Sequence, residues 1–313
     1  SGQLWEVRKA VRPWLIEKNQ TYLFGCSGGI DSMALAAALL AENSTRRIIP
    51  VVVDHGLQDN SAEVAALVAN RLKKMGFAEI FSSRASVELK DGLEASARRA
   101  RYKVFEQAVE TYGADIFFLA HNKNDQAEGV LLGLARGSGT KSLSGMREKN
   151  GIYVRPFLNI SKEIILQACQ EIGLELWEDP HNGNLEFTRV RVRKNVLPEI
   201  ESELGPGIID ALSRSARILG EDAQALDEWA EQVIKEIGLN NLEVEKLASL
   251  PKAVRARVLR RAIYAAGAPS GSLNAEHLQP VESLVTAWKG QGACSLPGGV
   301  KVSRISGRLS LSQ

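Results

Sequence analysis

The chain is short of cysteine. Cys26, Cys169 and Cys294 lie far apart and form no CxxC pair, which argues against a disulfide framework and a cysteine-held zinc site. Long apolar runs are also missing. None approaches the roughly 20 residues needed to span a bilayer, so a membrane protein is not expected. The opening stretch SGQLWEVRKAVRPWL has neither the apolar centre nor the small-residue cleavage site of a signal peptide. These absences point to a reducing cytoplasm. Internal repeats and low-complexity tracts are lacking too, and net charge is small, at +2 over 313 residues. With 44% hydrophobic and 24% charged residues, the composition suits a globular protein of about two domains.

The small net charge hides an uneven distribution. Residues 221–245 carry eight acids against one lysine, Lys235, whereas KAVRARVLRR at 252–261 carries five positive charges and no acid. From Ser283 to Gln313 there are four basic residues and no acidic one. Basic clusters are the footprint of a polyanionic partner, although a solvated helix face has the same composition.

Apolar β-rich runs occur at Tyr22–Cys26, Ile48–Val53 and Ile116–Ala120, with a weaker one at Ala78–Ser82. Helical patterns separate them at Ser32–Glu42, Ser61–Met75, Gly92–Tyr112 and Gln126–Ala135. Continuously apolar strands at this spacing predict an α/β fold, a parallel sheet covered on both faces. Ligands of such a sheet sit at the carboxyl ends of its strands, so the chemistry is expected just after Cys26, Val53 and Ala120. Residues 206–290 read as helices, and LPGGVKVSRISGRLSLS reads as a β-hairpin or small sheet. The expected division is 1–205, a catalytic domain, and 206–313, a mainly helical domain with a short β tail.

Ser27-Gly28-Gly29-Ile30-Asp31-Ser32 follows the first strand and opens a helix. Glycines let backbone amides approach a ligand, and a helix N-terminus favours an anion. The hydroxyls of Ser27 and Ser32 add donors. Asp31 would repel a phosphate unless Mg²⁺ lay between them. A plain helix cap explains the same residues. RGSGTKS at 136–142 has Thr140 where a Walker A loop needs glycine, which argues against a γ-phosphate-transferring NTPase.

SGGxDS after a strand resembles the signature of the PP-loop ATP pyrophosphatases, which cleave ATP between the α and β phosphates. Further motifs follow in order: Val53-Asp54-His55-Gly56-Leu57, Glu94-Ala95-Ser96-Ala97-Arg98-Arg99-Ala100-Arg101-Tyr102, and Ala120-His121-Asn122-Lys123-Asn124-Asp125-Gln126-Ala127-Glu128. After them stand Arg136-Gly137-Ser138-Gly139, Arg155-Pro156-Phe157-Leu158, Trp177-Glu178-Asp179-Pro180 and Arg189-Val190-Arg191-Val192-Arg193 before Leu197-Pro198. Over roughly residues 20–200 this order resembles the tRNA(Ile)-lysidine synthetase family. The resemblance implies a carbon–nitrogen ligase that uses ATP, with Mg²⁺, to join L-lysine to the wobble cytidine of an isoleucine tRNA with a CAU anticodon. The sequence leaves a homodimer open. Asn124 stands where the family has aspartate, Gly129 where it has threonine, and Val190 where asparagine is common.

Set against that reaction, the loop 27–32, Ile30 included, cradles phosphate, with Asp31 as a metal ligand. Asp125 and Glu128, i and i+3 on one helix turn, could hold metal, grip the lysine ammonium or act as base. His121 is a candidate phosphate or base contact. Arg98 and Arg101 suit the α-phosphate, while Val53 and His55 flank the adenine by position. Arg189, Arg191 and Arg193 suit RNA phosphates; they share one face if extended and fan apart on a helix. Arg136 and Lys141 border a glycine loop near the nucleotide or anticodon, and Arg257, Arg260 and Arg261 are expected on the tRNA body. Competing readings are weaker. A tRNA thiolase needs reactive cysteines, and Cys26 points with its strand into the core. An amidating ligase such as NAD synthetase has no use for a basic C-terminal half, and a non-catalytic RNA-binding module would not need Ser27, Asp31, Asp125 and Glu128 together.

Overall fold

Neighbouring side chains of a strand point to opposite faces, so a continuously apolar strand needs cover on both sides. A computed structural model of the chain describes residues 2–16, 20–43, 46–56, 60–88, 92–137, 139–174, 184–239 and 242–313. Leu57, Ser138 and the Trp177–Pro180 motif lie outside them. The chain runs α1 (Gln3–Val11), β1 (Thr21–Gly25), α2 (Ile30–Glu42), β2 (Arg47–Asp54), α3 (Ser61–Met75), β3 (Phe81–Arg84), α4 (Leu93–Tyr112) and β4 (Ile116–Phe118). It continues through α5 (Lys123–Ala135), α6 (Thr140–Leu143), β5 (Lys149–Asn150), β6 (Tyr153–Val154) and α7 (Lys162–Glu171).

These strands form one sheet in the order β3-β2-β1-β4-β6-β5. All neighbours pair in parallel except β5, which runs antiparallel to β6 at the edge. The expected α/β sheet is therefore present, with β5 and β6 added where the sequence showed no strand signal. Tyr22, Phe24 and Phe118 enter the core formed with α1, α2, α3 and α7, while Leu23, Ile49, Val51 and Phe117 enter the one formed with α4. The strand order reverses at β1, with β2 on one side and β4 on the other. Such a reversal opens a crevice outside the carboxyl ends of the two central strands.

The arginine-rich segment is helical. α8 (Thr188–Arg191) runs through a π-helical turn at Val192–Val196 into α9 (Leu197–Leu204). The chain then divides into two compact units, Ser1–Gly220 and Glu221–Gln313. The division lies inside α10 (Ile208–Ile237), whereas the sequence texture changes near residue 205.

The second unit contains β7 (Leu242–Glu243), α11 (Val244–Ser249), α12 (Lys252–Ala265), α13 (Ala275–Thr286), β8 (Cys294–Ser295), β9 (Lys301–Ile305) and β10 (Arg308–Ser312). Its strands form an antiparallel sheet in the order β7-β10-β9-β8. Val254, Val258 and Ala262, at i+4 spacing, put one face of α12 into the core with Leu242, Val281, Leu284 and Val302. Much of the charge segregation seen in the sequence is neutralised here. Arg257 pairs with Asp227 at 2.8 Å and Arg261 lies 3.8 Å from Glu231, both acids on α10. Arg255 is buried, bonds Glu282 at 2.6 Å, and donates to the carbonyls of Leu247, Ala248 and Leu250. Of the basic decamer, Arg257 and Arg261 thus serve contacts within the unit, beside the acid-rich run.

Candidate active site

The loop after β1 is shaped by one glycine. Gly28 has φ +83°, and a Cβ there would stand 2.4 Å from Cγ2 of Val68 in α3. A side chain at position 28 therefore meets both backbone strain and a packed neighbour. Gly28→Ala is expected to destabilise the fold by roughly 1–3 kcal/mol, measurable as a lower denaturant midpoint; an unchanged midpoint would remove the steric role. Gly29 differs: it is extended, at φ −72° and ψ 163°, and is the N-cap of α2. Ser32 donates its hydroxyl to the Gly29 carbonyl at 2.9 Å and accepts the Ser27 amide at 3.2 Å, with the Ser27 hydroxyl 3.4 Å away. The serines thus hold the turn closed around the first turn of α2, where Ile30 packs on the core and the positive end of the helix dipole faces outward. Cys26 is 3% exposed, and burial raises its thiol pKa. It is a core side chain, as its position in the strand implied.

Asp31 projects from that first turn. Its Oδ2 accepts from Nζ of Lys162 at 2.6 Å and its Oδ1 from the side-chain Nδ2 of Asn122 at 3.1 Å. Asn122 caps α5: its Oδ1 accepts the Asp125 amide at 3.1 Å, and Oδ2 of Asp125 accepts the Asn122 amide at 2.9 Å. The Asn122–Asp31 bond ties this capping box, beyond the end of β4, to the turn that follows β1. Asn124 accepts the Lys162 backbone amide at 3.0 Å, a task that asks for an oxygen and not for a charge, so asparagine serves where the resembled family has aspartate. Asp31, Asn122, Asn124, Lys162 and Arg193 line one pocket. Among the described residues no group of three carboxylate, histidine or cysteine side chains could enclose a metal. Mg²⁺ takes one or two carboxylates and completes its shell with substrate phosphates and water, and Asp31, the carboxylate among the residues lining this pocket, could hold it. Lys162 was not anticipated. A lysine on the first residue of α7, against the helix dipole, is the signal in hindsight.

Asp125 and Glu128 share a face of α5, and both meet Arg193. Its Nε donates to Glu128 at 2.6 Å and its Nη2 to Glu128 at 3.1 Å and Asp125 at 3.2 Å. Arg189 reaches Glu128 at 3.2 Å. Being helical, Arg189 and Arg193 stand at i and i+4 on one side, while Arg191 turns away to the carbonyls of Leu185 and Glu186 and the hydroxyl of Thr188. Glu128 is 0% exposed. Burial raises its carboxyl pKa, and the opposing pull of Arg193 does not fully offset it. Burial also works against the Arg193 charge, yet Glu128 holds that guanidinium up.

His121 follows the end of β4. Burial first, then the charges of Arg155, Arg101, Arg98 and Arg189, push its pKa down to about 3, so it is a neutral imidazole near pH 7. Val53 is half-buried at the end of β2 and His55 opens the loop beyond, on the sheet edge that carries the 27–32 loop. Arg136 and Lys141 are exposed beyond the far end of α5. Arg136 stands eleven residues after Asp125, about 16 Å further along the helix axis. Arg257, Arg260 and Arg261 belong to the second unit.

Residues 4–200 match a PP-loop domain model, and residues 242–310 match that of the TilS substrate binding domain. The tRNA(Ile)-lysidine synthase of Thermobifida fusca is 44% identical, covering 98% of this chain and 95% of its own. That of Streptomyces coelicolor is 46% identical over 93% of this chain and 85% of its own. The U34-tRNA thiolase NcsA of Methanococcus maripaludis superposes with a TM-score of 0.57 at 17% identity, covering 70% of this chain and 78% of that one, and shares the fold. With both of its family models matched and relatives of this identity along nearly its whole length, the chain belongs to the tRNA(Ile)-lysidine synthase family.

Proposed function

We propose that the protein joins L-lysine to C2 of the wobble cytidine of an isoleucine tRNA with a CAU anticodon, in the cytoplasm. The observation that supports this reading is the Asn122 bridge, which sets a nucleotide-side carboxylate, Asp31, against an amine-side one, Asp125, across adjacent strand ends. In the first step the cytosine O2 attacks the α-phosphorus of ATP and pyrophosphate leaves. In the second the lysine amine attacks C2, the C2–O bond breaks and AMP departs. Such transfers depend on positioning and charge neutralisation more than on covalent help from the protein. The amides of the 27–32 loop and the end of α2 hold the departing diphosphate. Asp31 would hold Mg²⁺, which would supply charge neutralisation for the phosphates.

Asp125 orients the incoming lysine and takes its proton. Glu128, fully buried and bound by two arginines, is a positioning residue that sets the Arg193 guanidinium in the pocket wall. Incubation with ATP, labelled lysine and separate tRNAs tests the reading. Label is expected in the isoleucine tRNA bearing CAU and not in the methionine tRNA, with AMP and pyrophosphate released. Formation of ADP and orthophosphate, or label in neither RNA, overturns it.

A further inference from the structure

On the α4 face of the sheet, four guanidinium groups gather with little acid to meet them. The register pairs Phe118 of β4 with Val154 of β6, so Arg155 emerges beside Leu119, two residues before His121. The Tyr102 and Tyr153 rings meet edge to face at 5.2 Å, which brings α4 against β6, and the Arg98 guanidinium lies over the Tyr102 ring at 5.1 Å. Arg101 stands one turn beyond Arg98 on the same helix. Arg189 comes from α8 and completes the group.

Arg155 is 6% exposed and donates one bond, to the Arg147 carbonyl at 2.9 Å. The Nε atoms of Arg101 and Arg155 and Nδ1 of His121 are buried without a hydrogen-bond partner, while Nε of Arg189 lies 3.2 Å from Glu128. Among the described residues, Arg189 alone of the four has a carboxylate partner, and that carboxylate, Glu128, is already held by Arg193. Buried donors without acceptors cost stability, and several like charges in one place add to that cost. An anion removes both penalties. Arg98, half-buried Arg101 and Arg189 leave the group open to solvent on one side.

We propose that Arg98, Arg101, Arg155 and Arg189 form a binding site for a phosphate group, distinct from the 27–32 loop. Guanidinium forks match the geometry of phosphate oxygens. The phosphate comes either from the RNA backbone beside the reacting nucleotide or from the ATP triphosphate. The inference rests on the proposed function only in naming those two sources.

The test uses the full chain and the variants Arg101→Gln and Arg98→Gln; the second alters an exposed side chain that the fold does not need. Dissociation constants are measured for Mg·ATP, for inorganic pyrophosphate and for an anticodon stem-loop RNA at several salt concentrations. Loss of one charged contact is expected to weaken one ligand about tenfold. If the RNA supplies the phosphate, RNA affinity falls, its salt dependence becomes shallower by about 0.7–0.9 in the log–log slope, and ATP binding is unchanged. If the nucleotide supplies it, ATP and pyrophosphate weaken and the RNA slope stays. Unchanged affinity for all three ligands in both variants overturns the site. Lysine incorporation is scored separately, so an RNA that binds with these properties but accepts no lysine removes the ligation reading and not the site.

Discussion

Asp31→Ala lowers pyrophosphate release by about two to three orders of magnitude, the loss that follows removal of a charge-stabilising group from such a site, while the melting temperature hardly moves. The two halves of this result have separate causes. The carboxylate is partly exposed, and its ion pair with Lys162 has both partners open to water, at 28% and 39% side-chain exposure. Pairs of that kind contribute about 0–1 kcal/mol. The chemistry depends on it much more, because the loop offers a multiply charged phosphate only amides and hydroxyls besides whatever cation Asp31 holds. Without ATP, Lys162 neutralises Asp31 directly at 2.6 Å. Lys162→Ala therefore serves as the control, since it breaks the same pair and keeps the carboxylate. Release measured from pre-formed enzyme–RNA complex should collapse in the first variant and persist in the second. Undiminished release from Asp31→Ala would remove Asp31 from the site.

Arg193→Ala should reduce both stability and lysine transfer. Glu128 has no exposure and is held by a two-pronged bond to Arg193. Once that partner is gone, Arg189 at 3.2 Å is the remaining cation on a buried carboxylate. Breaking a buried pair costs about 3–5 kcal/mol, and Arg189 should hold the loss nearer the lower figure. The pH dependence has a definite sign. The Glu128 pKa is raised in the folded protein, and losing Arg193 raises it further, so the folded variant binds a proton that its unfolded chain releases. The variant is closest to wild type below the ordinary glutamate pKa. It falls behind as pH climbs through the raised value. Denaturant titrations at pH 5 and pH 8 measure this, and an equal deficit at both would show that Glu128 is not the group responsible. Adding Glu128→Gln removes the charge that has to be buried and should restore part of the stability. Lysine transfer falls at least about 100-fold, as for a misplaced reacting group.

Several elements are legible in the sequence. The strand at residues 21–25 is readable because a short apolar run, Tyr22 to Phe24, followed by a glycine turn suits a strand covered on both faces. Gly28 was readable as a necessary glycine, although the reason anticipated was ligand approach, and Val68 supplies a second reason. Other features were not readable. The arginines at 189–193 fit two conformations equally well, and only the helix decides that 189 and 193 face Glu128 while 191 does not. The basic run at 252–261 reads as an RNA surface from its charge; that two of its arginines pair with acids of α10 was not readable.

The sequence by itself determined what is local: the alternation that builds the parallel sheet, the glycine turn at the end of β1, and the Asp125 and Glu128 spacing on one helix face. Each depends on residues a few positions apart, where backbone geometry limits the outcomes. The tertiary structure decided which cation meets which acid. Asp31 and Lys162 are 131 residues apart, and Glu128 and Arg193 are 65 apart. No periodicity extends over such separations. Only the order of the strands and the packing of α5, α7 and α8 at their carboxyl ends bring those charges together.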